Sequence, residues 1–209
     1  MCDYKIGRVV LGRIATNCYF VFDDKTKNTV VFDPADDGKK LYDKLTEKGL
    51  KVKAIVLTHG HYDHIYGVEE LRKAADCKVY APLAEKELLL DTYLNQSEST
   101  GRLCRVKADI YLKDDEEVDI DGVRFKVLLT PGHTAGSACF YFEKAGILIA
   151  GDTLFLGSVG RTDMPTGSMG ELVASIRRKL MVLPDSVRVY PGHGDDTTIG
   201  EERTYNPFF

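Results

Sequence analysis

Along the first third of the chain, apolar residues come in short runs of β-branched and aromatic side chains: Ile6–Leu11, Cys18–Phe22 and Thr29–Phe32, broken by Asp-Asp and Lys-Asn turns. Runs of that length and composition predict strands. The spacing then changes. Leu41, Tyr42 and Leu45 recur at helical intervals and Gly49 closes the segment, so a helix is expected over Gly38–Glu47. Lys53–Leu57 predicts a buried strand, and Val68–Ala75 and Leu83–Leu90 predict helices flanking a strand at Lys78–Ala81. The second half repeats the theme, with strands at Gly122–Leu129, Ala138–Phe142 and Gly146–Ala150, a helix at Met169–Met181 and a strand at Val187–Tyr190. Such mixing predicts an α/β sandwich with helices over both outer faces. No linker or low-complexity tract divides it, so residues 1–209 read as a single domain.

Composition narrows the picture. At 209 residues and 44% hydrophobic the chain can bury a substantial core. It has no run of about 18 apolar residues, which argues against a membrane-spanning helix. The start, Met1-Cys2-Asp3-Tyr4-Lys5, lacks the basic and apolar regions of a signal peptide. Five cysteines, an odd number without a C-x-x-C pair, fit a reducing cytoplasm better than a disulfide framework. A net charge of -4 gives no general attraction to nucleic acid. The acidic run Asp114-Asp115-Glu116-Glu117 reads either as a cation site or, with Val118 and Ile120 alternating beyond it, as a solvated approach to a hairpin.

The candidate chemistry lies in the histidines. Three of the five fall in His59-Gly60-His61-Tyr62-Asp63-His64, and His133 and His193 each follow a Pro-Gly pair that ends an apolar run. Imidazole is the commonest protein ligand for zinc and related metals. Four segments share one grammar, an apolar strand followed within a few residues by His59, His133, Asp152 or His193, and in three of them glycine directly precedes the ligand. Strand ends hold ligands in register, and glycine permits the close approach a crowded pocket needs. In the hexapeptide, strand alternation would send His59, His61 and Asp63 one way, with His64 breaking the period. That suits two adjacent metal positions better than one.

These segments carry a resemblance. The chain resembles the metallo-β-lactamase-fold hydrolases, and among them the short, single-domain members related to glyoxalase II, the hydroxyacylglutathione thioesterase. The carriers are Thr58-His59-Gly60-His61-Tyr62-Asp63-His64, Thr130-Pro131-Gly132-His133-Thr134, Gly151-Asp152-Thr153-Leu154-Phe155 and Pro191-Gly192-His193-Gly194, with Ser158-Val159-Gly160-Arg161-Thr162-Asp163 and Gly200-Glu201-Glu202-Arg203 for the subfamily. It runs from Asn17-Cys18-Tyr19 to Asn206-Pro207-Phe208. It implies a four-layer αβ/βα sandwich, two mixed β-sheets flanked by helices. It also implies that His59, His61 and His133 hold one divalent metal and that Asp63, His64 and His193 hold a second, with Asp152 bridging. Zn2+ is the expected ion, with Fe or Mn as alternatives. Asp33, in Val31-Phe32-Asp33-Pro34, looks like the family's strand-end aspartate that orients the ligand loop, or else it is a plain Asp-Pro turn.

The implied reaction follows. Two metals about 3.5–4 Å apart trap a bridging water, and one zinc already lowers the pKa of its water to about 7. That hydroxide would attack a carbonyl polarised by the metal charge, with Asp63 steering its proton. A thiol, of pKa near 8.5, leaves with little acid assistance. The expected substrate is a small-molecule 2-hydroxyacyl thioester such as S-lactoylglutathione. No protein nucleophile stands out, because Ser137 and Cys139 lie close to a histidine already assigned to metal. Arg161 could fork onto a substrate carboxylate or pair with Asp163, and Phe155 could line the pocket or pack under its loop. Glyoxalase II proper carries a C-terminal helical domain that grips glutathione, whereas sixteen residues follow His193 here. The alternatives are a mononuclear iron persulfide dioxygenase using His59, His133 and Asp152, a lactonase, or a non-enzymatic zinc-binding module. The polar segment Asp91–Gly101 is a candidate lid.

Overall fold

Strand β2, Thr16–Asp23, sends Tyr19 and Val21 to one side and Cys18 and Phe20 to the other, and both sets are buried. A strand buried on both faces reads as an unbroken apolar run rather than an alternating one, which explains the sequence pattern. The computed structural model describes residues 4–209; Met1, Cys2 and Asp3, and with them the reading of the chain's start, lie outside the described residues.

In the first sheet β2 lies between β1 (Tyr4–Leu11) and β3 (Asn28–Phe32), and the order continues through β4 (Lys51–Val56), β5 (Lys78–Pro82) and β6 (Ile110–Leu112). The first three strands are antiparallel and the remaining pairings parallel. The parallel crossovers contain α1 (Gly38–Glu47), α2 (Tyr62–Ile65), α3 (Val68–Ala75) and α4 (Lys86–Leu90). Leu41 and Leu45 of α1 and Val68 and Leu71 of α3 pack on the outer face with Cys18, Val31 and Ile55.

The second sheet contains β7 (Glu117–Ile120), β8 (Val123–Leu129), β9 (Ala138–Phe142) and β10 (Ile147–Gly151) as an antiparallel series. A separate hairpin, β11 (Leu154–Phe155) with β12 (Ser158–Val159), and helix α5 (Met169–Ser175) follow. The chain then returns as β13 (Arg188–Pro191), parallel to β10, and ends in β14 (Thr197–Thr198) and α6 (Ile199–Tyr205). The inner faces of the two sheets meet around Phe32, whose ring lies 5.5–6.0 Å from those of Phe125, Phe140 and Phe142. Leu172, Ile176, Leu180 and Ile199 cover the outer face of the second sheet. The result is the expected four layers, two mixed sheets flanked by helices.

Several details differ from the sequence reading. The helix expected over Met169–Met181 is α-helical only to Ser175 and then widens into a π turn at Ile176–Leu180, where the Met181 amide reaches back to the Ile176 carbonyl. The helix expected over Leu83–Leu90 starts as a 3-10 turn, Leu83–Glu85. Strands β6, β11, β12 and β14, of two or three residues each, are too short to show a period. The acidic run before β7 is a solvated hairpin approach: Lys179 pairs with Asp114 and Asp115 at 2.7 and 2.8 Å, and Lys126 with Asp115 at 2.9 Å. No described helix is long and apolar enough to cross a membrane.

The strand directions gather the site. Parallel pairing brings the C-terminal ends of β3 and β4 to one edge, and in the other sheet β8, β10 and β13 all run the same way. Because β2 runs opposite to β3, its N-terminal end, Thr16 and Asn17, lies at that edge too.

Candidate metal centre

Each ligand segment is held where a strand ends. Beyond β4, His59 and His61 flank Gly60, and His61 in extended conformation forms the N-cap of α2. The alternation expected through Asp63 stops there. The His64 amide bonds the His61 carbonyl at 3.0 Å and the Tyr66 amide bonds the Tyr62 carbonyl at 3.1 Å, so Asp63 and His64 lie on a helical turn. The Tyr62 amide, which has no partner within so short a helix, donates to the Asn95 carbonyl at 2.9 Å. The loop proposed as a lid is therefore tied to the ligand turn, with Asn95 and Ser97 fully buried.

Two glycines matter by position. Gly132, before His133, has φ +138 and lies against the Leu172 backbone of α5. Gly192, before His193, lies so close to Asp152 Oδ1 and His64 Cε1 that a methyl group there would overlap them. The carbonyls around His193 accept from the other sheet: Asn17 Nδ2 donates to Pro191 and Gly194, both at 2.9 Å, and the Tyr19 hydroxyl to Pro191 at 2.9 Å.

The outward nitrogens of three imidazoles have acceptors, which sets their tautomers. His133 Nδ1 is 2.8 Å from the Arg161 carbonyl, an acceptor only, so Nδ1 carries the proton and Nε2 offers its lone pair. His64 Nδ1 is 2.9 Å from Asp33 Oδ2. The Thr58 hydroxyl donates to that same oxygen at 2.6 Å, which frees its own lone pair for His59 Nδ1 at 3.0 Å. Asp33 Oδ1 also accepts from the Thr58 amide at 2.8 Å. Asp33, buried with φ +48, thus meets one imidazole directly and a second through Thr58. Asp33→Ala is expected to weaken metal binding about 10–100-fold, the usual cost of losing such a partner. Chelator competition measures this, and unchanged affinity would leave Asp33 with the turn role alone.

Inward, His59 Nε2 and His61 Nδ1 lie 3.3 and 2.9 Å from His133 Nε2. On the other side, Asp63 Oδ2 is 3.3 Å from His64 Nε2 and 3.2 Å from His193 Nε2. Asp152 stands between the two sets. Its Oδ1 is 3.4 Å from His64 Nε2, and its Oδ2 is 3.7 Å from His133 Nε2 and 3.6 Å from His193 Nε2. Ligands held about 2.0–2.2 Å from a tetrahedral zinc are roughly 3.3–3.6 Å from one another; the spacings of 3.2–3.7 Å around Asp63, Asp152 and His59 suit shared cations, whereas His61 Nδ1 and His133 Nε2, at 2.9 Å, stand at hydrogen-bond distance. His64 Nε2 and Asp152 Oδ1 are buried without a hydrogen-bond partner, as is His61 Nε2 on the far side of its ring. Leaving such atoms unsatisfied costs about 1–3 kcal/mol each; a cation coordinated by His64 and Asp152 removes that cost for two of the three. The donor set therefore fits a metal pair.

The electrostatics divide the site in the same way. Burial, then the neighbouring imidazoles, push His59 well below the usual histidine value, and burial with His133 takes His61 down to about 3. Both are neutral and ready to ligate at neutral pH. For His64, burial opposes protonation but Asp63, Asp152 and Asp33 outweigh it, and its value rises; His193 rises against burial through Asp63 and Asp152. Burial also works against ionising Asp63 and Asp152, yet His64 and its neighbours hold both carboxyls below the usual range. His59, His61, His64 and His133 are at most 3% exposed, whereas the His193 side chain is 28% exposed, so the centre opens to solvent on its side.

The metallo-beta-lactamase superfamily profile matches residues 11–193, and the chain belongs to that superfamily of metallo-hydrolases. Among its relatives, the hydroxyacylglutathione hydrolase GloC of Haemophilus influenzae is 34% identical over 196 residues, covering 92% of each chain. A solved structure of BLEG-1 B3 metallo-beta-lactamase is similar at 40% identity and TM-score 0.93, covering 98% of this chain and 99% of that one. TTHA1623 in a di-iron-bound form is similar at 36% identity and TM-score 0.84, covering 97% and 100%.

Outside the metal donors, Arg161 meets Asp163 through two hydrogen bonds of 2.7 Å and is 60% exposed. What it gives the centre is its carbonyl, on His133. Phe155 is half-buried with its ring 6.5 Å from that of His193, so it borders the centre. Cys139 and Ser137 are buried, and burial raises the Cys139 thiol to about 11. Sequence reading missed Thr16, whose hydroxyl donates to Asp63 Oδ2 at 3.0 Å, and Glu85 behind the ligand loops.

Proposed function

We propose that the chain is a dinuclear metal-dependent thioesterase of glyoxalase II type, cleaving a 2-hydroxyacyl thioester such as S-lactoylglutathione in the cytoplasm. The observation that carries this reading is the pair of donor sets, three imidazoles on one side and Asp63, His64 and His193 on the other, with Asp152 between them, its Oδ1 near His64 and its Oδ2 near both His133 and His193. A pair of divalent cations bound there supplies a water of lowered pKa and a positive charge for a developing oxyanion. The chain's own residues do the rest. Asp63, held by Thr16 at the open side, is placed to accept and pass on a proton. Phe155 and the exposed face of His193 border the approach of an acyl group. The choice of thioester rests on the hydroxyacylglutathione hydrolase relative and on the leaving group: a thiolate departs at neutral pH with little acid assistance.

The test combines metal analysis of the purified protein with hydrolysis of S-lactoylglutathione, other thioesters, a lactone and a β-lactam, and with oxygen uptake on glutathione persulfide. Two metals per chain with thioester turnover are expected. One iron with oxygen uptake and no thioester cleavage, or β-lactam turnover alone, would overturn the reading.

A further inference from the structure

Behind the centre, on the side away from solvent, lies a fully buried carboxylate that belongs to neither donor set. Glu85, in the 3-10 turn Leu83–Glu85, has no exposed surface. Its Oε2 accepts from the Gly60 amide at 2.8 Å. Its Oε1 accepts from the Thr134 hydroxyl at 2.7 Å and from the Gly136 amide at 2.8 Å. Burial pushes the Glu85 carboxyl above the usual range, and three donors converging on its two oxygens pull the other way, toward the ionised form. The positions are selective. Gly60 lies between His59 and His61, and Thr134 follows His133, so Glu85 joins the backbones that present the three imidazoles of the first set. It touches none of Asp63, His64 and His193. The same segment closes over Gly60 from behind with the Leu88 and Leu89 side chains, which a Cβ at Gly60 would strike.

We infer that Glu85 is a positioning residue for the three-histidine position alone, fixing the His59–His61 loop against the His133 loop and so setting the metal affinity of that position. The inference rests on the dinuclear reading above. Burying a charged group is costly unless it is fully hydrogen-bonded, and a leucine would fill this place as well if packing alone were needed. Glutamine has one acceptor oxygen for three donors, so in either amide orientation its NH2 opposes the Gly60 amide or the Thr134 and Gly136 donors. The loops must then separate at one of the two points that Glu85 joins.

The experiment titrates metal-free wild type and Glu85→Gln with Zn2+ against a chromophoric chelator, while NMR of the imidazole nitrogens reports which histidines are coordinated. Affinity at His59, His61 and His133 is expected to fall about 10–100-fold, with affinity at His64 and His193 changing less than about threefold. Thr134→Val, which removes one of the three donors and leaves the carboxylate, is expected to weaken the same position by a smaller factor. It decides the matter if Glu85→Gln does not fold. Equal weakening at both positions, or full affinity at the three histidines in a variant with only a lowered melting temperature, would overturn the inference. A wild type whose NMR shows a single metal on the three histidines would refute the dinuclear reading instead, and the variant-to-wild-type ratio there would still judge Glu85.

Discussion

Asp152→Asn is expected to lower kcat/KM for the thioester on the order of 10^3-fold, about 4 kcal/mol of transition-state stabilisation, and to leave fewer than two metals bound. Asp152 directs atoms to both donor sets, with Oδ1 3.4 Å from His64 Nε2 and Oδ2 3.7 and 3.6 Å from His133 and His193 Nε2. Asparagine keeps the shape but removes the negative charge and turns an NH2 donor toward one set. That change is felt in a buried place, where Coulomb interactions are screened far less than in water. His193→Ala is the contrast. It removes a ligand from one set only, so the second equivalent is lost selectively and the three-histidine position stays filled. Two tightly bound metals and turnover within tenfold of wild type in Asp152→Asn would remove Asp152 from the bridging role.

The candidate ligands were legible in the sequence because their segments are announced locally, by an apolar strand, a glycine and a histidine or aspartate within a few residues. What holds them was not. Glu85 sits in Leu83-Ala84-Glu85-Lys86-Glu87, which reads as the polar face of an amphipathic helix; its partners lie 25 residues before it and 49 and 51 after it. Thr58 and Asp33 act together only because β3 and β4 are parallel neighbours, a fact of the sheet rather than of either segment. Strand alternation failed at Tyr62–Ile65 for a related reason. A polar hexapeptide has no apolar period to read, and a bond from Tyr62 to Asn95, 33 residues on, helps fix the turn. The double burial of β9, β10 and the middle of β2 was the most readable part of the fold, since strand positions covered on both faces are largely apolar. Two-residue strands such as β11 and β12 exist through pairing alone and leave no pattern.

The largest loss of stability is expected from Phe32→Ala, about 3–5 kcal/mol, or roughly 6–20 °C in melting temperature for a chain of this size. Phe32 ends β3 on the inner face, fully buried, and its ring meets Phe125 and Phe142 edge-on at 5.8 and 6.0 Å and Phe140 tilted at 5.5 Å. The other three rings come from β8 and β9, so the side chain joins the two sheets rather than filling space within one. Its neighbours already contact one another, Phe125 lying 5.4 and 5.5 Å from Phe140 and Phe142, and they cannot collapse far into the gap. Poor collapse is what places a truncation at the high end of the range. Phe22→Ala provides the comparison: that ring is only partly buried, on the outer side of the same sheet and stacked on Phe20 at 6.3 Å. It should cost well under half as much. The measurement belongs on the metal-free protein, because a ligand bound only to the folded state adds its own stabilisation. A loss below about 1 kcal/mol for Phe32→Ala, or equal losses for the two variants, would mean that the sheets are held together elsewhere. The consequence reaches the metal centre through the next residue, since Asp33 follows Phe32 directly and accepts from His64 and Thr58. A β3 that shifts toward the cavity moves that acceptor, so metal affinity should fall in Phe32→Ala and stay near wild type in Phe22→Ala.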